Sequence, residues 1–361
     1  MTRIRDFGVI PGELSPGPLN AITDVAGVRV GHATVNRDVD GVPWRTGVTA
    51  IWPHGSDPIR ERVYAATFLL NGYGVMTASP IVDEWGLLDS PIVLTGTNHV
   101  GIVYHWTLQY LFEHSEAAKS KTSLMPMIAE CDDSNLDGSR GLALGRNDIY
   151  AALDNASTGP VAEGSVGAGT GTKLFDFKGG IGTSSRLVQV AQTSYTVGAL
   201  VQTNYGSRSH LRIDGVPVGR MLSDQKTPAA NDGSCIVVLA TDAPLNPRQC
   251  GRLAKRAALG LARTGSVAKD LSGEAIIAFA NGNLIPSNAE PEITTRALVE
   301  GHSALGKSPL NDFFIAAIEA TEEAVYNALV AAETVTGVDG YKLQAIPHDR
   351  LRKVLEARLG S

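Results

Sequence analysis

The sequence predicts an α/β protein, as one large domain or two moderate ones. Three observations predict it. In the second half, short apolar runs of strand length alternate with longer stretches of helical period. Residues suited to starting and stopping helices bracket those longer stretches. Glycine is unusually frequent: 39 of 361 residues, about 11% against a usual 7%. The glycines sit in tight clusters and follow no repeat or linker pattern, which fits turns and close backbone approach in a compact fold.

Each element follows from its own signal. Gly27–Val35 and Gly47–Pro53 have strand composition. Residues 91–114 read as a strand, a turn and a helix from about Val100 to His114. Glu163–Arg186 is dense in glycine. "RLVQVAQ" and "YTVGALVQTNYG" alternate in polarity and fit paired strands, and "RIDGVPVG" carries an Asp-Gly hairpin signal. Ser223–Gly233 is polar and aperiodic, the pattern of an exposed loop. A strand at 235–241 then leads into a helix that Asn246 can cap, Pro247 can start and Gly265 can end. "EAIIAFA" is the next strand. The stretch "NDFFIAAIEATEEAVYNALVAAET" is a long amphipathic helix, expected to bury Phe314, Ile318, Val325 and Leu329 on one face. A helix over about His348–Leu359 closes the chain.

Composition narrows the function. A net charge of −6 without a basic cluster argues against nucleic acid or an anionic membrane as main partner. The longest apolar runs fall far short of the roughly 20 residues that span a bilayer. The first twenty residues have no secretory pattern. The three cysteines, Cys131, Cys235 and Cys250, are too few and too scattered for a disulfide framework or a thiolate metal site. A cytoplasmic location is therefore expected. The eight histidines show no metal-binding spacing; His99 and His210 are expected as structural hydrogen-bonders. There is no G-x-S-x-G elbow. "GAGTGTK" lacks the ending of a phosphate-binding loop, so tight backbone packing is the better account of that segment.

The informative stretch is "NDGSCIVVLATDAPL", Asn231–Leu245. Ser234 has a plain reading as the polar first residue of a strand after an Asn-Asp-Gly turn. It has a second reading as a nucleophile uncovered by cutting the chain before it. That chemistry wants a flexible lead-in, a glycine whose carbonyl can be attacked, and a buried strand to fix the serine, and all three are present. Ser234 Oγ would attack the Gly233 carbonyl, and hydrolysis of the resulting ester would leave Ser234 with a free α-amine. With a pKa near 8, that amine can serve as base for its own hydroxyl.

"GSCIVVLATDAPLNPRQCGRLAKRAALGLARTG" resembles the segment after the cut in the self-processing L-aminopeptidase/D-esterase and β-peptidyl aminopeptidase family of N-terminal-nucleophile hydrolases. The likeness extends in order over "PGPLNAITDVAGVRVGH", "RTGVTAI", "VAEGSVGAGTG", "FKGGIGTSSR", "VGALVQTNYG" and "LSGEAIIAFA". The resemblance implies a four-layer α/β/β/α sandwich in a single domain, 1–361, cut into interlocked fragments 1–233 and 234–361. It puts the nucleophile on Ser234, the autocleavage site at Gly233–Ser234, the supporting serine and carboxylate on Ser272 and Glu274, and the oxyanion-hole amide on Asn204. Positions 272 and 274 share a strand face, so both can address the new amine. The substrate amine is assigned to Glu130 of "IAECDDSNLDG", where Cys131 and Asp132 replace the family's threonine and aromatic residue. The implied activity is release of N-terminal residues, including β- or D-residues, from short peptides, amides or esters. The implied assembly is a homotetramer of paired fragments, with no metal or organic cofactor. An acyltransferase of the ornithine-acetyltransferase type, a pantetheine-type amide hydrolase and an unprocessed binding protein are the alternatives.

Overall fold

The computed structural model describes residues 2–222, 233–288, 292–301 and 308–359. The first half of the chain forms β1 (Arg29–Val39), β2 (Val42–Trp52), β3 (Glu61–Gly72), α1 (Ser79–Trp85), β4 (Leu87–Leu88), β5 (Ile92–Gly96), α2 (Val100–His114), α3 (Glu116–Lys119), β6 (Met127–Cys131) and α4 (Arg146–Asp154). The second half forms β7 (Lys173–Leu174), β8 (Phe177–Lys178), β9 (Ile181–Val190), β10 (Thr193–Asn204), α5 (Val218–Met221), β11 (Gly233–Thr241), α6 (Pro247–Thr264), β12 (Ser272–Pro286), α7 (Leu310–Val330) and α8 (His348–Leu359).

Two sheets stack face to face. One has the order β1-β2-β5-β6, the other β4-β3-β12-β11-β10-β9. Helices α2 and α4 cover the outer face of the first sheet, and α6 and α7 cover the outer face of the second. The expected four-layer sandwich is therefore the observed fold. Strand β11 shows why its sequence is uniformly apolar: Ile236, Val238 and Ala240 enter the core between the sheets, while Cys235, Val237 and Leu239 pack beneath the helices. A strand buried on both faces reads as a continuous run.

Local chemistry sets the element ends. The Asn246 side chain accepts from Gln249 N and the Gln249 side chain accepts from Asn246 N, both at 2.9 Å. This reciprocal cap starts α6, and Gly265 at φ 106° ends it. The predicted hairpin turns at Asp214 and Gly215, with φ 50° and 73°, joining Ile213 to Val216. The glycine-dense segment is a close-packing device, as expected. A Cβ on Gly182 would lie 1.9 Å from Ala324 O, so glycine there lets α7 rest directly on β9. Residues 223–232 of the expected loop lie outside the described residues; its last residue, Gly233, already belongs to β11, which starts two residues before the expected strand.

The buried face of α7 differs from the expectation. Val325 and Leu329 are buried as expected, but Phe313, Ala316 and Ala317 face the core on the first turns and Phe314 and Ile318 are half-buried. Phe314 instead lies under the Arg252 and Arg256 guanidinium groups. From Glu319 to Val330 every residue is buried, because this part runs between the second sheet and neighbouring segments. Periodicity cannot orient a helix that is enclosed all round.

That enclosure includes charge. Arg186 of β9 is fully buried and pairs with Glu319 (3.0 Å) and Glu323 (2.8 Å) of α7. Arg5 and the Asn20 amide also reach Glu323. Burial pushes Glu323 up, but Arg5 and Arg186 outweigh it and hold its pKa below the ordinary value. The contribution from Glu323 is thus present at neutral pH and lost as pH falls through that lowered value. Removing one partner of a buried pair leaves an uncompensated charge. Arg186→Met is expected to lower unfolding free energy at pH 7 by about 3–5 kcal/mol, with a smaller deficit in acid, measured by urea denaturation at both pH values.

Candidate active site

Ser234 is the second residue of β11, the strand between β10 and β12. It is opposite Asn204 in the antiparallel pairing and beside Gly273 in the parallel one. Cross-strand partners point to the same face. Asn204 Nδ2 accordingly donates to Ser234 Oγ at 3.3 Å, while Asn204 Oδ1 accepts from Lys173 N at 3.3 Å. That second bond fixes which end of the amide faces the serine. Ser234 and Asn204 are both buried. Their shared face looks into the layer between the sheets, where the Cys131 thiol of β6 contacts Ser234. Burial pushes the Cys131 pKa well up, so the group beside Ser234 is a neutral thiol.

Ser272 and Glu274 share a face, as expected, and the Ser272 hydroxyl donates to Glu274 Oε1. Their register partners are Gly233 and Cys235, so they occupy the face opposite Ser234 Oγ. A Cβ on Gly233 would lie 2.8 Å from Ser272 Oγ, which places this pair against the residue preceding Ser234. Glu274 is almost fully buried. Burial pushes its pKa up, opposed by Ser272 and Asn71. Its Oε2 has no hydrogen-bond partner, and the neighbouring Asn71 amide donates to Lys269 O at 2.5 Å. A carboxyl buried with one oxygen unmatched is stabilised either by a proton, as the raised pKa favours, or by a neighbouring cation.

Glu130 stands at the end of β6, in the other sheet. Its Oε1 accepts from Val75 N at 2.9 Å and its Oε2 accepts from the Thr97 hydroxyl. Burial pushes its pKa up against those two donors, and Asp132 adds to the rise. The cleft between the sheets, about 420 Å³, is lined by Gly72–Val75, Thr97, Glu130, Asp132, Gly233 and Ser234. Glycine makes one wall possible: a Cβ on Gly273 would meet Tyr73 O at 2.2 Å. Of the expected residues, Gly233, Ser234 and Glu130 line the cleft. Asn204 touches Ser234 from the side, and Ser272 and Glu274 lie behind Gly233. Sequence reasoning missed Thr97 and the 72–75 segment. The glycine pair in "NGYGV" after an unread strand was the available signal for that wall; nothing local marked Thr97.

Residues 20–343 match the sequence profile of Peptidase family S58. The chain is 43% identical to a β-peptidyl aminopeptidase of Sphingosinicella xenopeptidilytica, over 99% of this chain and 91% of that protein. It superposes on a β-aminopeptidase of a Burkholderia species with a TM-score of 0.90 at 40% identity, covering 99% of each chain. It superposes equally completely on an L-aminopeptidase D-Ala-esterase/amidase of Ochrobactrum anthropi, described as a prototype serine aminopeptidase with a variant of the Ntn hydrolase fold, at TM-score 0.91 and 40% identity. These matches support neither the acyltransferase and pantetheine-type readings nor that of a non-catalytic binding protein. The chain thus belongs to peptidase family S58, as a serine-type aminopeptidase with an N-terminal-nucleophile fold.

Proposed function

We propose that this protein cuts itself between Gly233 and Ser234 and then uses the freed Ser234 to release N-terminal residues from short peptides, amides or esters, β- and D-residues included. The observation that carries the reading is the shared cleft: Ser234 and Glu130 come from different sheets and line one pocket. In the first step Ser234 Oγ attacks the Gly233 carbonyl, the peptide nitrogen leaves as an amine, and water hydrolyses the ester. Breaking the bond to Gly233 would free the new amine to meet Ser272 and Glu274 Oε2, which lacks a partner. Glu274 holds and tunes the ammonium, and Ser272 relays its proton.

In turnover the neutral amine takes the Ser234 proton as Oγ attacks the substrate carbonyl. The Asn204 amide donates to the developing oxyanion, a contact worth about 3 kcal/mol in comparable sites. The departing amine takes the proton, and water then releases the acyl group. Glu130 receives the substrate's own ammonium. The fragments 1–233 and 234–361 would stay interlocked in one domain, because β11 and β12 are flanked in their sheet by β10 and β3. Small peptide or amide substrates, a homotetramer of such pairs and a cytoplasmic location complete the reading. Three buried free cysteines fit a reducing compartment. Among the described residues no helix is long and apolar enough to cross a membrane.

Two measurements test this. Denaturing mass spectrometry should find two fragments summing to the 38.0 kDa chain plus one water, the smaller beginning at Ser234. Ser234→Ala should give one uncut species without activity; an uncut, active wild type would exclude the mechanism. Glu130→Gln should raise KM for amino-terminal substrates about 10–100-fold, the range for losing a charged hydrogen bond, with a smaller effect on kcat in steady-state assays.

A further inference from the structure

Outside the cleft, three buried side chains meet where the carboxyl ends of β5 and β6 lie side by side. Asp133 and Asp137 sit in the turn after β6, where Leu136 N and Asp137 N both bond Asp133 O. His99 closes the turn between β5 and α2. His99 is 0%, Asp133 1% and Asp137 4% exposed. One ligand atom from each lies within 4.8 Å of the others.

Hydrogen bonding fixes the chemical state of the histidine. Ser139 Oγ donates to Asp137 Oδ2 at 2.6 Å, so its single proton is used. The contact between Ser139 Oγ and His99 Nε2, at 3.2 Å, must therefore have the imidazole as donor. The Nε2–H tautomer leaves Nδ1 as a bare lone pair, and Nδ1 is buried without a partner. Both oxygens of Asp133 are also buried without partners. A glycine is needed to admit them, since a Cβ on Gly96 would lie 2.2 Å from Asp133 Oδ2. His99 Nδ1 and the two Asp133 oxygens are thus acceptors facing one another, and burial pushes the Asp133 pKa well up. The neighbouring Thr46 hydroxyl opposes the rise in the Asp133 pKa, but it too lacks a hydrogen bond. Lys178 feels Asp133, but its ammonium bonds Gly169 O (2.8 Å) and Gly179 O (2.7 Å) instead.

We propose that His99, Asp133 and Asp137 form a buried site for one divalent transition-metal cation. Two carboxylates balance the charge of such an ion. One imidazole with two carboxylates suits first-row metals such as zinc or manganese better than the all-oxygen shells of calcium or magnesium. Bonds of 2.0–2.2 Å to a tetrahedral zinc put its donors about 3.3–3.6 Å apart, so the three groups, now within 4.8 Å of one another, would draw together by up to about an ångström on loading. Outer-shell bonds are already in place: Arg45 N donates to Asp137 Oδ1 at 3.0 Å, and Ser139 ties Asp137 to His99. Entry is from a separate cleft of about 740 Å³ that Asn98, Asp137 and Ser139 line. The ion would clamp together the segments carrying Thr97 and Glu130, without touching the cleft that holds Ser234.

The test uses full-length protein stripped with EDTA, dialysed, and titrated with Zn2+ by calorimetry, with thermal unfolding followed alongside. The expected result is one equivalent bound with a Tm raised by several degrees, both lost in Asp133→Asn and in His99→Gln. Ser139→Ala, which frees the imidazole tautomer, should weaken uptake about 10–100-fold. If Asp133→Asn does not fold, His99→Gln alone carries the comparison. Wild type that takes up no Zn2+, or uptake unchanged in His99→Gln, overturns the site. In that case a water or an acidic proton fills the space, and Asp133→Asn should then be at least as stable as wild type.

Discussion

The register of β11 against β10 and β12 is the constraint on which the site depends. Side chains alternate along a strand, so a slip of one residue would turn Ser234 away from Asn204 and exchange it with Gly233 or Cys235. What prevents the slip is burial. Ile236, Val238 and Ala240 fill the layer between the sheets, and Cys235, Val237 and Leu239 fill the layer under α6 and α7. Each buried Val, Leu or Ile side chain contributes about 1.5–3 kcal/mol, and a one-residue slip would send every one of them to the other face. The position of one hydroxyl is thus set by the packing of a whole strand.

The same economy governs the polar interior. Arg186, Glu319, Glu323, Arg5 and Asn20 make a closed network between β9, α7 and the N-terminal segment. Its parts come from three segments remote in sequence, so removing any one of them strands a buried charge. Glu274 and the His99–Asp133 pair are different: each contains buried acceptor atoms without donors. Native proteins rarely leave such atoms unmatched. Unmatched acceptors beside the proposed cleavage junction and at the ends of two parallel strands are matched, in the two proposals, by positive charge that arrives later: a new amine in one case and a bound ion in the other.

Much of this was legible in the sequence, for identifiable reasons. The ends of α6 were readable because Asn246, Pro247 and Gly265 act locally. The hairpin at Asp214–Gly215 was readable because few residues tolerate those torsions. Ser272 and Glu274 could be placed on one face by parity alone. The burial of Phe314 and Ile318 was misjudged because the direction α7 faces depends on Gly182 and on the arginines of α6, all remote in sequence. Strand β3 went unread because most of its residues are half-buried and its burial does not alternate cleanly. Thr97 became visible only when β5 and β6 were seen to pair in parallel.

Register also explains why a chain break suits this site better than an internal serine. Ser234 Oγ and the Ser272–Glu274 pair lie on opposite faces of the second sheet. No rotamer of an internal serine brings its hydroxyl to that pair. The backbone nitrogen of Ser234 lies in the plane of the sheet, between the two faces. While Gly233 is attached, that nitrogen is an amide and can serve neither as base nor as cation. With the bond to Gly233 cut, as proposed, the nitrogen would become an amine three bonds from Oγ on one side and open to Ser272 and Glu274 on the other. In the proposed mechanism the amine is the one group of this chain that can connect the nucleophile to its carboxylate through the sheet. Autocleavage then supplies the missing link in the proton path as well as uncovering the serine.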